Sequence, residues 1–393
     1  MTTYTYSQEL VQWRGQDRDG KYNETGLLKQ WPAEGPKLLW HFDGIGDGHA
    51  SAAVTADLIY TAGTVEGNGF VFAFDHNGNL KWKTDYGPEW VESWPGSRTT
   101  PMIYDGKLYI MSGFGKILCM NPRDGLVFWS VDYMKDYDGR NIQWGVTENL
   151  LIDEGKLYCT PGGVEANVIA LNKDNGQLIW KSKGNGEKSA YCSPALIKHN
   201  NRKIIVTHTE SSILGIDASN GNLLWKHPQP NQWSVHPNTP IYSNGYLYCV
   251  SGYGQGGVML KLSSDGSSIS EVWRSKMQDT RMGAVVLLNG KLYGSGDKSK
   301  KWFVLDWNTG KELGSSDYLS KPGNIIYADG MLYCYSENGD VAVAEPKDNG
   351  YNFTGKFKVP YGANQHWAHL VIKDKKLYVR HGNSLMVYSI AAN

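Results

Sequence analysis

One tripeptide recurs along the whole chain, and its spacing decides what the chain can fold into. Lys-Leu-Tyr or a close variant stands at Leu58-Ile59-Tyr60, Lys107-Leu108-Tyr109, Lys156-Leu157-Tyr158 and Lys203-Ile204-Ile205. It returns at Tyr246-Leu247-Tyr248, Lys291-Leu292-Tyr293, Met331-Leu332-Tyr333 and Lys376-Leu377-Tyr378. These eight copies lie 40 to 49 residues apart. A period in the forties holds four short strands and their turns, the size of one propeller blade. A second landmark follows about twenty residues later, where an Asn/Asp-Gly turn leads into a short apolar strand ending in Trp82, Trp129, Trp180, Trp225 or, more loosely, Trp273. The Asn/Asp-Gly pair tolerates the positive φ of a tight hairpin, and an indole is large enough to fill the wedge between neighbouring blades. Units six and seven keep the turn (Asn308 to Gly310, Asp348 to Gly350) but lose the Trp, so their seams are expected to pack differently.

Each unit therefore reads as four antiparallel strands, with the tripeptide opening the second. The eighth has room for only three before Asn393. Residues Gly35 to Phe42 look like a fourth strand with nothing before it. Pairing them with the strand near Leu385 to Tyr388 closes the ring and removes two exposed sheet edges. The expected fold is all-β, an eight-bladed β-propeller over residues 35–393. Residues 1–34 form an extension packed on it, expected to wrap the outer face or one end.

Lys and Arg together number 39, as do Asp and Glu, so no net field draws the protein to nucleic acid. No run of 18 apolar residues spans a membrane. Met1 to Gln8 lack an apolar signal core, and the expectation is an extracytoplasmic protein whose signal is absent from this sequence, with a cytoplasmic place as the alternative. The five cysteines include no CxxC pair; Cys159, Cys249 and Cys334 each follow a strand tyrosine and read as buried small hydrophobes.

The Leu-Tyr strand followed by turn, Gly and Trp, best seen in Ala170 to Trp180, resembles the tryptophan-docking repeat of propellers of the pyrroloquinoline-quinone (PQQ) type, over roughly residues 36–393. The leader Gln12 to Gly20, followed by Gly26 to Pro32, is similar to the start of bacterial proteins of that kind. The resemblance implies two branches: quinoprotein alcohol or sugar dehydrogenases, and cofactor-free scaffolds such as BamB. The dehydrogenases carry adjacent cysteines beside the quinone, a carboxylate and an Asn around calcium, and an Asp base. This sequence has no Cys-Cys pair, and no residue-by-residue match to that set emerges. No cofactor or metal site is therefore expected, with PQQ and calcium as the alternative.

A propeller gathers the loops that enter its inner strands around one mouth of the channel. Those loops contribute His49, Trp94 with Arg98, Trp144 with Glu148, and Tyr191; then His236, Arg281, Lys321, and His366, Trp367 and His369. Aromatic faces can stack on a sugar ring or another flat surface, while Arg, Lys and His satisfy hydroxyl or carboxylate oxygens. The expected function is a binding or scaffold protein that recognises a carbohydrate, an anionic small molecule or a protein partner. The alternative is an enzyme on a sugar or alcohol, quinone-dependent or a hydrolase or lyase, with His236 or His366 paired to Glu148 for acid–base work. Gly252 to Gly257 has the glycine spacing of a nucleotide loop but joins two strands, and Asp75 to Asn79 has calcium-loop spacing but sits at a hairpin.

Overall fold

The tripeptide opens a strand wherever it occurs, as at Lys107–Met111, Lys156–Cys159, Lys291–Ser295 and Lys376–His381. Its Leu and Tyr are buried on opposite faces because each sheet is covered on both sides by its neighbours. In the computed structural model, which describes residues 9–283 and 285–392, eight antiparallel sheets stand in a ring, an eight-bladed β-propeller. The reading of Met1 to Gln8 lies outside the described residues. Blade 1 comprises Ala53–Val54, Ile59–Val65, Asn68–Phe74 and Leu80–Pro88. The inner strands of blades 2 to 8 begin at Met102, Leu151, Ala195, Ile241, Val285, Gly323 and Val371. Blade 8 is completed from the other end of the chain: Lys37–Phe42 pairs antiparallel with Ser384–Ser389, Leu38 opposite Tyr388 and Phe42 opposite Leu385.

The seams explain the second landmark. Trp180 lies over Tyr158 of its own blade, ring centroids 5.8 Å apart, and its indole N–H donates to the Ala218 carbonyl in the next blade's turn at 3.3 Å. Gly221 of that turn has φ +79°, and a Cβ there would sit 2.6 Å from the indole. Trp129 repeats this over Tyr109, donating to Lys173 O, with Gly176 against its ring. The turn glycine thus meets two needs, a left-handed backbone and room for the preceding blade's Trp.

Blades 6 and 7 carry Gly314 and Gly355 at the strand position of Trp180, and each slot is filled from elsewhere. In blade 6 Tyr351 comes from blade 7 and packs on Tyr293 and Trp302. In blade 7 the filler is Trp31, buried against Tyr333 and Phe357 with its Cβ close over Gly355. An indole from the N-terminal extension therefore serves where the repeat lacks one.

The extension was expected to wrap the outer face or one end, and its first half lies elsewhere. Leu10–Val11 pairs antiparallel with the inner strand of blade 2, and Lys21–Tyr22 pairs parallel with the inner strand of blade 7. The residues between are therefore held within the channel. Of the weaker motifs, Asp75 is a turn residue whose carboxylate accepts the Asn77 and Asn79 N–H groups, and Gly252 to Gly257 links two strands of blade 5. All five cysteines are free and buried.

Candidate functional site

Inner strands are short, two to six residues, so the loops that lead into them are long and converge over the channel. Polar side chains tie each loop to the next. The Asn149 amide oxygen accepts from Thr100 N at 2.7 Å and its Nδ2 donates to Ser193 Oγ at 3.0 Å. Asn238 Nδ2 donates to Thr280 O and Asn324 Nδ2 to Ala368 O. This ring of buried hydrogen bonds holds the loops in register with the blades beneath them.

The loops enclose a cavity of about 360 Å³, a size suited to a small organic ligand. Among the residues singled out from the sequence, His49, Trp94, Arg98, Trp144, Tyr191, Arg281, Trp367 and His369 line it. One wall runs from His49 to Trp367 and Trp94, with ring centroids 5.0 and 5.2 Å apart; another runs from Trp144 to Trp233 and Tyr253, at 6.1 and 6.5 Å. Trp94, Tyr191 and Tyr253 have φ of 48°, 68° and 59°. Bulky residues rarely hold a left-handed backbone, and such strain gathers at sites where a side chain must be aimed.

The charged groups differ sharply. Arg98 donates to the carbonyls of Trp144, Ser93 and Trp94 and, at 3.3 Å, to the Tyr191 hydroxyl. It forms no ion pair among the described residues, and burial lowers its pKa. Arg281 lies 3.2 Å from Asp297 and 3.1 Å from Glu337. Burial alone would lower its pKa, but these two carboxylates outweigh it and the net shift is upward.

The histidines here are neutral. Burial, with Arg98 and Arg380 nearby, pushes His49 down to about 3, and neither of its ring nitrogens has a partner among the described residues. His369 is pushed down to about 3 by burial and then by Arg14. Its Nε2 faces Met282 O at 3.0 Å and its Nδ1 faces the Arg14 guanidinium at 3.4 Å, so Nε2 carries the proton and Nδ1 accepts.

Four of the sequence candidates are not brought into the cavity. His236 is fully buried in the wall, bonded to Ser251 Oγ at 2.6 Å and stacked on His208; burial lowers it to about 4. His366 stacks on His381 at 3.6 Å and bonds to the Tyr335 hydroxyl, and burial lowers it to about 4. Lys321 is exposed, with its carbonyl accepting the Trp302 indole N–H. Glu148 is buried beneath the mouth, accepting from Thr160 N and Oγ1, and burial lifts it to about 8. No hydrogen bond or ion pair joins Glu148 to either histidine, so the expected His–carboxylate pair is not formed. The sequence reading missed Trp13, Trp233 and Tyr253. Trp13 belongs to a segment outside the repeat, and Tyr253 sits in a loop between the second and third strands of blade 5, where counting back from the tripeptide does not reach.

The donor set can be tested against PQQ with calcium. No lining residue is Asp or Glu, the Asn149 amide is already committed on both sides, and no group of three His, Cys, Asp or Glu is placed for a metal among the described residues. Calcium asks for several oxygen ligands, carboxylates first. The residues present do not fit a calcium-bound quinone.

Residues 67–313 match the family model described as outer membrane protein assembly factor BamB. A quinoprotein ethanol dehydrogenase of Pseudomonas putida is 26% identical over 134 residues, 33% of this chain and 21% of that protein. The aligned part is about a fifth of the length of such curated relatives. Among solved structures, BamB from Moraxella catarrhalis superposes with a TM-score of 0.64 at 14% identity, covering 91% of this chain and 98% of that one. A europium-containing methanol dehydrogenase superposes at 0.68 with 12% identity, covering 95% and 90%. At these identities the structures speak for the fold alone.

Proposed function

The chain belongs to the PQQ-like repeat family of the outer membrane protein assembly factor BamB, and on that premise we propose that its channel mouth is a binding site for a small, ring-shaped anion, best of all a sugar acid. The observation that carries this reading is Arg98: a cation held by neutral oxygens alone, in a cavity whose lining holds no carboxylate. The guanidinium's four terminal N–H groups are engaged, so what it offers a carboxylate is its unneutralised charge together with the Nε–H. The indole and phenol walls supply flat apolar faces for a ring.

Binding rather than catalysis is the reading favoured by the side chains. His49 and His369 are held neutral far below physiological pH and are poor general bases there. The family description brings a protein partner and an extracytoplasmic location into the same proposal. No helix among the described residues is long and apolar enough to cross a membrane.

Calorimetric titration with D-glucuronate, D-galacturonate and their neutral parents D-glucose and D-galactose tests it. Saturable binding of at least one acid, at least tenfold tighter than its neutral parent, is the expected result. Equal affinity for acid and parent, or no heat from either acid, rejects the reading.

A further inference from the structure

The cavity has a floor only because residues Leu10 to Tyr22 are threaded through the channel. Short ladders pin this arm at both ends, to blade 2 and to blade 7. Between them Arg14 and Arg18, 3% and 5% exposed, make no ion pair among the described residues. Arg14 donates to Val285 O at 3.1 Å and Ile325 O at 3.3 Å, on blades 6 and 7. Arg18 donates to Asn149 O and Pro194 O, both at 3.1 Å, and to Leu150 O, at the entrances of blades 3 and 4. Two guanidiniums thus staple the arm across the ring through backbone carbonyls. Trp13 rests above them, 8% exposed, lining the cavity with its ring 4.8 Å from His369.

Resting on the reading of this cavity as an anion site, we infer that the arm is a working part of it: Trp13 is the floor, Arg14 and Arg18 supply a positive field from below, and Arg14 is the positioning residue for His369. Fixed cations beneath a walled cleft raise the local concentration of anions. The other charged and titratable groups facing this region are Asp19, which acts on Arg14 and is itself paired with Lys21 at 2.9 Å, Tyr22, Arg98, the Arg281–Asp297–Glu337 cluster, His49 and Glu148. Glu148, the acid beside Arg18, is held largely protonated at neutral pH by burial, so it does not cancel that field. Arg14 orients the His369 ring by donating to Nδ1 while Met282 O accepts from Nε2–H, which leaves neither nitrogen for a ligand.

Because all five native cysteines are buried, an introduced thiol reports on the cavity without any knowledge of the ligand. Trp13→Cys is treated with an anionic (sulfonatoethyl) and a cationic (trimethylammonioethyl) methanethiosulfonate, each rate normalised to a free thiol. In both reactions the thiolate forms a mixed disulfide and methanesulfinate leaves. The expected outcome is labelling of the folded variant about tenfold faster by the anionic reagent. If Trp13→Cys stays unlabelled while the wall variant Met282→Cys reacts, the arm does not floor the cavity and the inference falls. It falls equally if the cationic reagent is as fast as the anionic one.

Should Trp13→Cys fail to fold, Met282→Cys carries the test alone. Adding Arg14→Gln is expected to cut its anion preference about threefold and Arg14→Lys to restore it; an unchanged preference in the Gln variant overturns the inference. Labelling is repeated with saturating D-glucuronate, which is expected to protect. Absence of protection together with a retained anion preference sinks the sugar-acid reading and leaves the arm's role standing.

Discussion

Arg98 and Arg281 face the same cavity from loops that enter blades 2 and 6, four blades apart in a ring of eight, and they are in opposite electrostatic states. Arg281 is clasped by Asp297 and Glu337. Among the described residues Arg98 donates to carbonyls and a phenol and lies 6.0 Å from the Trp90 ring centroid, and the acid acting on it, Glu89, is itself pushed upward by burial while accepting from Trp90 N, Gly113 N and the Tyr86 hydroxyl. A cation already paired gains little from a second anion; one desolvated against dipoles alone still has its charge to neutralise. The lesson is that one residue type at one kind of position can be architecture on one side of a ring and a binding group on the other. What surrounds it decides.

Breaking the comparison starts with Arg98→Met. It is expected to weaken D-glucuronate binding by about 2–3 kcal/mol, roughly 30- to 150-fold. D-glucose, which has no charge to lose, is expected to be affected far less, and titration of both ligands reads the difference. Arg281→Met acts elsewhere: it leaves Asp297 and Glu337 without their shared cation, which is expected to cost about 2 kcal/mol in urea unfolding. Its effect on D-glucuronate affinity is expected to stay below about threefold. The asymmetry is refuted if Arg281→Met weakens binding more than Arg98→Met does.

The architecture was legible because it repeats. Eight Leu-Tyr strands and the Asn/Asp-Gly turns carry a signal at every blade, and closure through Lys37–Phe42 could be read from a strand left without a partner. The loss of Trp in blades 6 and 7 was visible too, but not what replaces it. Trp31 and Tyr351 come from other parts of the chain, and only tertiary packing joins them to their slots. The mouth loops could be located by counting, which gathers Trp94, Arg98, Trp144 and Tyr191. Counting does not tell which way a side chain turns, and so it could not separate His49, at the cavity, from the buried His236 and the half-buried His366, which turn away to Ser251 and Tyr335. The arm was the least legible part. Arg14 and Arg18 in a Gly- and Asp-rich leader look like solvated charges, and their burial depends on carbonyls contributed by four different blades.

The smallest expected effect concerns the acid beneath the Arg98 side. Burial raises Glu148 from the ordinary 4.5 to about 8, against weaker lowering by its bonds from Thr160 and by Arg18. A carboxyl whose folded pKa lies above its unfolded one binds its proton more tightly in the native state. The stability this contributes is complete below about pH 4.5 and is lost as pH rises towards 8. His49, His236, His366 and His369 work in the opposite sense: their lowered values make stability fall as pH drops below 6.5. The unfolded histidines have lost nearly all their protons about a unit above 6.5, so the window from about pH 7.5 to about pH 8.5 isolates Glu148. Urea midpoints of the wild type are expected to decline across it, while Glu148→Gln, which keeps an acceptor for Thr160 N, flattens the curve and gains about 1 kcal/mol over the wild type at pH 8. Ionised Glu148 would also put a negative charge beside Arg18, so D-glucuronate affinity in the wild type is expected to fall modestly above pH 8 and to hold level in the Gln variant. A wild-type affinity that stays flat through pH 9 would mean that the charge state beneath the mouth is irrelevant to what binds above it, and the contrast between the two arginines would then rest on their immediate contacts alone.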